Sequence, residues 1–129
     1  MSASNYQENL VLDFSLGSGT PATVYLSLHT ADPGETGANE TTGTNYARKS
    51  VTNNSTNWPA ASSGVKLLHV AQSFATPGAG GWGTVTYFGI WDAASAGNFM
   101  FGGQLTISKT INQDDAVSFA IDALSVTAD

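Results

Sequence analysis

GTVTYFGIWDA, residues 83–93, is the stretch on which the fold turns. Val85, Tyr87 and Gly89 alternate with Thr86, Phe88 and Ile90, and a run this rich in β-branched and aromatic residues reads as a β-strand with two distinct faces. Glycines precede it and DAASAG follows it, so both ends carry turn chemistry.

Moving outward toward the C-terminus, NFMFGGQLTI (98–107) gives a second strand, expected to bend near Gly102 and Gly103. VSFAIDALSVT (117–127) places Val117, Phe119 and Ile121 on one parity and Leu124 and Val126 on the other. A one-residue slip of this kind predicts a bulge or corner at Asp122 and Ala123.

Toward the N-terminus, ATVYLSLHT (22–30) reads as a buried strand with Val24, Leu26 and Leu28 on one face. Tyr46–Val51 makes a further short strand, and VKLLHVAQSF (65–74) makes either one strand or a bent pair. SNYQENLVLDFSLGSG (4–19) carries two competing periods, a strand-like alternation of Leu10, Leu12, Phe14 and Leu16 and a helical spacing of Tyr6, Leu10 and Phe14; Ser4–Gln7 and Asn5–Glu8 as capping boxes and Gly17 as a stop favour the helix. A short helix is expected there, burying Leu10 and Phe14. Between these elements lie long polar connections, notably 31–45 and 53–64. Short strands separated by turn residues predict a mainly β single domain, residues 1–129: an antiparallel β-sandwich or flattened barrel with a short N-terminal helix and long Gly/Thr-rich loops.

Composition narrows the function classes. Among 129 residues there are ten acids, four cations and no cysteine, for a formal net charge of −6. The absence of thiols excludes disulfides, thiolate metal sites and cysteine nucleophiles. With Arg48, Lys49, Lys66 and Lys109 as the whole cationic complement, counterion-release binding to nucleic acid has little to act on. No secretion-signal pattern opens the sequence and no stretch of about eighteen apolar residues occurs, so neither membrane nor nucleic acid is an expected partner.

LSLHTADPGETGANE (26–40) gathers His29, Asp32, Glu35 and Glu40 in a chain otherwise poor in charge. Asp32-Pro33-Gly34 has turn chemistry, with Pro fixing φ at the second position and Gly supplying positive φ at the third. The acids are too irregularly spaced for a calcium loop, and a zinc site would need His69 from another segment. His29 is therefore read as bonding locally at a strand end, with Glu35 and Glu40 solvating the connection. No Gly-x-Ser-x-Gly elbow is present, and neither histidine has an evident orienting carboxylate. Asp114 and Asp115 read as a turn. PGAGGWG (77–83) precedes a strand and lacks lysine, so it is not a phosphate loop. Catalytic, metal and cofactor residues are accordingly expected to be none.

Trp58 stands beside Pro59 and Trp82 among glycines, where they serve as sugar-stacking platforms, interface anchors or caps on the core. Arg48, beside Tyr46, is a candidate interface anchor or the partner of Glu35 or Glu40 in a surface ion pair. Tyr46, Arg48, Trp58 and Trp82 form the candidate interface set.

Taken together, LSLHTADPGETG, GTNYARKSV, GTVTYFGIWDAASAGN and DDAVSFAIDALSVT resemble, over most of the chain from Tyr6 onward, a family of small tailed-bacteriophage virion proteins. Its members are labelled tail-fibre or minor structural proteins, and some are similar to head decoration proteins. Between Trp58 and Gly81 the chain departs from the family pattern, which leaves the strand register there open. The resemblance implies a non-enzymatic virion component without catalytic residues. Such a component would be a capsid decoration or cement protein or a tail-associated one, self-associating as a homo-oligomer such as a trimer and binding a major capsid or tail protein. It would reside in the virion after assembly from the host cytoplasm. A carbohydrate-binding sandwich on a fibre or adhesin, using Trp58 and Trp82, is the alternative; a hydrolase would require His29 and an acid to meet in a cleft.

Overall fold

The computed structural model describes residues 3–128. Ser4 opens helix α1 (Asn5–Ser15), its hydroxyl accepting the Gln7 N–H at 3.3 Å as an N-cap should. The chain then turns at Gly17, where φ is +105° and a Cβ would stand 2.8 Å from the Trp58 carbonyl oxygen, so a side chain is doubly disfavoured there. Buried Asn53 fastens this end: its amide donates to the carbonyls of Ser15 (3.1 Å) and Pro21 (2.8 Å).

Among the described residues eight strands follow in chain order: β1 (Thr23–His29), β2 (Lys49–Thr52), β3 (Val65–Leu67), β4 (Gln72–Ser73), β5 (Gly83–Trp91), β6 (Phe99–Ile111), β7 (Ser118–Phe119) and β8 (Ser125–Thr127). The main sheet has the order β2-β1-β5-β6, while β3 pairs with β8 and β4 with β7; every pairing is antiparallel. The fold is thus the expected mainly β, antiparallel one with a short N-terminal helix, and its sheets do not close into a barrel.

Register divides the main sheet into two faces. Leu26 lies opposite Ile90 and Leu28 opposite Phe88, and these side chains join Val24, Val51 and Val85 in the core. The two small ladders complete that core with Val117, Phe119, Leu124 and Val126, and α1 adds Leu12 and Leu16. Burying each such side chain contributes about 1.5–3 kcal/mol. Gly103 makes the layering possible, since a Cβ there would come within 2.5 Å of the Phe88 ring and 3.1 Å of the Ser125 carbonyl oxygen.

Several sequence expectations require correction. Gly102 and Gly103 pair with Gly89 and Phe88, and the register breaks just beyond them, between Gln104 and Lys109 on β6 and between Val85 and Tyr87 on β5; a second shift lies between Ile90 and Trp91. Across the first shift Val85 enters the core with Phe88 and Ile90, against strict alternation. The strand expected from Tyr46 starts at Lys49, because the Tyr46 N–H closes a turn onto the Gly43 carbonyl at 3.1 Å. Two other expectations hold: residues 65–74 form the second of the two forms expected, the pair β3 and β4, and the corner expected at Asp122 and Ala123 is a turn in which Asp122 takes φ +64°.

The helix departs furthest from expectation. Leu10 and Phe14 are exposed, at 47% and 75%, and Leu12 and Leu16 are buried in their place. Distant polar contacts set this rotation. Asn9 Oδ1 accepts the Gly64 N–H at 2.9 Å, and Asp13 Oδ1 accepts both the Ala61 N–H and the buried Lys66 ammonium at 2.7 Å. Burial opposes ionisation of Asp13, but the Lys66 and Ala61 bonds outweigh it and hold the carboxyl below its ordinary pKa.

Candidate functional site

The outer face of the main sheet carries the chemistry-bearing residues of β1 and β5. Ser27 lies opposite Gly89 and His29 opposite Tyr87, with Trp91 opposite Tyr25. A sheet face that is half polar would ordinarily meet water. Here Ser27 and His29 are fully buried, because the 31–45 connection folds back over them as a lid.

Local chemistry shapes that lid. Asp32 Oδ1 accepts the Gly34 N–H at 2.8 Å, and Gly34 adopts φ +61°, so the Asp-Pro-Gly turn forms as expected. The Pro33 carbonyl then accepts from Gly37 (3.0 Å) and Ala38 (2.9 Å), and Thr41 N–H returns to the Leu28 carbonyl at 2.8 Å. Gly37 lies flat on Trp91: a Cβ there would stand 2.3 Å from the indole ring. Gly102 admits Pro33 in the same way, with its Cβ position 2.8 Å from Pro33 Cγ.

Under the lid the hydrogen bonds have one consistent direction. Because a carbonyl can only accept, His29 Nδ1 carries a proton and donates to Ala38 O at 2.8 Å. Its Nε2 is then the acceptor for the Ser27 hydroxyl at 2.7 Å, and Ser27 Oγ in turn accepts the Trp91 indole N–H at 2.8 Å. Burial lowers the His29 pKa, outweighing the Ala38 bond and the nearby Glu40 charge, so the neutral tautomer is the folded form. Ser27 and His29 thus have a nucleophile-and-base geometry, with both side chains buried. Gly89 is the reason they fit, since a Cβ there would come within 2.5 Å of Ser27 Oγ and 2.8 Å of His29 Nε2.

At the lid's edge Arg48 pairs with Glu40 in a fork, Nε to Oε2 at 3.0 Å and Nη2 to Oε1 at 2.9 Å. Arg48 Nη1 donates to the carbonyls of Ala93 and Ala96, both at 2.9 Å, and its guanidinium lies 3.8 Å above the Trp91 ring. One residue therefore clasps the lid, the β5–β6 hairpin loop and Trp91 together. Tyr46 completes the clasp, donating to Glu40 Oε2 at 2.7 Å and accepting the Leu28 N–H at 3.1 Å. Burial opposes the ionised Glu40, yet Arg48 and Tyr46 hold its pKa below the usual carboxylate value; burial pushes the Tyr46 phenol far above its own. An open groove of about 460 Å³ lies outside the clasp, between Thr41, Ala47 and the 94–96 turn.

Of the candidate interface residues, Tyr46 and Arg48 come together here with their polar groups turned inward. The ion pair expected with Glu35 or Glu40 is with Glu40, and it is not a surface pair: the Arg48 side chain is 7% exposed. Glu40 is correspondingly not the solvating loop residue it was expected to be. Trp58 and Trp82 are 1% and 2% exposed, which removes both as stacking platforms. Trp82 packs edge-on to Tyr46 and Phe74 and donates its N–H to the Thr44 carbonyl at 3.0 Å. Trp58 lies beneath the end of α1, its indole N–H without a partner among the described residues. His69, expected to lack an orienting carboxylate, meets Asp122 at 3.0 Å on the surface across 53 positions of sequence. Asp114 and Asp115 make the expected turn, Asp115 Oδ2 accepting the Asn112 N–H at 2.8 Å.

Local sequence pattern does not single out Ser27, Trp91 or Asn53 as site residues. A serine one alternation before His29 was the available signal for Ser27, and the remaining contacts are too distant in sequence to be read.

These features define a class: a small antiparallel β fold in which Ser27, His29 and Trp91 bond to one another beneath a lid. The family model described as podophage GP4 fiber I protein gp80 matches residues 2–127, and the chain belongs to that family. The membership agrees with the resemblance carried by the His29–Pro33, Tyr46–Arg48 and Phe88–Ala93 segments. No curated protein matches the chain.

Proposed function

We propose that the chain is a non-enzymatic, tail-associated structural component of a phage particle, a fibre part that self-associates and binds neighbouring virion proteins. The observation that carries this reading is the fibre-family match across residues 2–127. The closed Ser27–His29–Trp91 network supports its non-enzymatic half, because a hydroxyl with no exposed surface cannot attack a substrate. The low charge also suits assembly, since burying few ions limits desolvation cost at an interface.

Immunogold labelling of intact particles with an antibody to this chain tests the placement. Label confined to the tail is the expected result. Label spread over the shell would make the chain a head decoration protein. The sugar-binding alternative loses its aromatic platforms to the core, and saturable glycan-array binding abolished by Trp58→Ala without unfolding would be needed to restore it.

A further inference from the structure

Helix α1 is amphipathic with its faces reversed. Glu8, Asn9 and Asp13 turn toward the chain's own body, against Gly64, Ala61 and Lys66. Tyr6, Leu10 and Phe14, spaced four apart, form an outward row with Val11 beside it, exposed at 70%, 47%, 75% and 41%. A mainly apolar groove of about 640 Å³ runs beside Leu10, Val11 and Phe14, edged by Gln7, Asp13, Ser15 and Ser18. Side chains with helical apolar spacing are ordinarily core, and no described residue covers these.

We propose that the Tyr6–Leu10–Phe14 row is the contact through which copies of this chain associate, which rests on the self-association in the function proposed above. Three observations select a second copy as the occupant. Every copy carries a formal net charge of −6, so charged faces of two copies repel, whereas the row itself holds no ionised side chain and the one carboxylate at the groove's edge, Asp13, is already paired with Lys66. A ridge of residues four apart interdigitates with an identical ridge, the commonest way two helices pack, and does so about a two-fold axis. The exposed apolar area of the row is roughly 400 Å² per copy from typical side-chain areas. Two copies with their polar rims reach about 1,000 Å², the lower bound of a specific interface and the signature of a dimer that dissociates on dilution.

Sedimentation velocity over the micromolar range tests the proposal. The wild-type chain is expected to associate as concentration rises, while Leu10→Ser/Phe14→Ser associates at least about 100-fold more weakly, with the two melting curves coinciding at concentrations where both are monomeric. Because the chain has no cysteine, Phe14→Cys provides a second reading: mild oxidation should give a covalent dimer that Ile107→Cys, at an exposed apolar position elsewhere, does not give. Association undiminished in the double variant, or equal cross-linking through Ile107→Cys, overturns the surface. A wild-type chain that stays monomeric throughout assigns the row to a different protein and overturns the proposal. Tail placement is decided separately, by the particle labelling.

Discussion

The lid at 31–45 and helix α1 contain the chain's two most misleading segments, and they mislead in opposite directions. The lid is polar, rich in Gly and Thr, and covers a buried face; α1 has clear apolar periodicity and leaves that face uncovered. Burial in the lid follows from satisfied hydrogen bonds: Ser27, His29, Glu40, Tyr46 and Arg48 all find partners within the chain. Exposure on α1 follows from the same rule, because Asn9 and Asp13 rotate the helix toward the groups that need them. Hydrophobic pattern alone predicts neither, since an unpaired buried polar group costs as much as a well-buried side chain contributes.

If the lid network holds the fold while the α1 row does not, stability changes must separate the two. The largest loss is expected from Glu40→Ala, which leaves the Arg48 guanidinium buried without its carboxylate; urea unfolding should show about 4 kcal/mol. Gly89→Ala comes next, because its methyl must displace Ser27, His29 or Phe99, at a cost of about 2–3 kcal/mol. Among the tryptophans, Trp82→Phe removes a bonded N–H and Trp58→Phe an unpartnered one, so the former should destabilise more by about 1 kcal/mol. Equal losses would mean that Trp58 has a partner after all.

Acid offers a finer probe of the lid. His29 has a folded pKa below its unfolded value of about 6.5, so between the two the unfolded chain binds more protons. The stability contributed by neutral His29 is whole above that window and declines as pH falls through it. Glu40 and Asp13, with lowered folded pKa values, add a second decline as pH falls through the carboxylate range. His29→Gln should remove the first decline and leave the second. The smallest effect is expected on α1, where Leu10→Ser should alter unfolding by less than about 0.5 kcal/mol. A larger loss would show that the row packs against its own chain.

What the sequence disclosed was local. Ser4 as a cap, the core face of β1, the Asp-Pro-Gly turn and the slip at Asp122 are each set by neighbours a few positions away. The side of α1 that faces inward was hidden because Asn9 and Asp13 answer to residues about fifty positions distant. Trp58 and Trp82 sit in polar stretches, and their burial depends on Gly17 and Gly43 admitting the chain from elsewhere. Arg48 illustrates both limits: its pairing with Glu40 was readable at eight positions, but its seat over Trp91 and its bonds to the 93–96 turn were not.

The separation of the two regions is tested most directly in the particle itself. Phage carrying Leu10→Ser/Phe14→Ser should produce a chain that melts at the wild-type temperature yet is missing from purified virions, as read by quantitative immunoblotting against the major capsid protein. Wild-type incorporation of that variant would contradict the assignment of the helix to assembly.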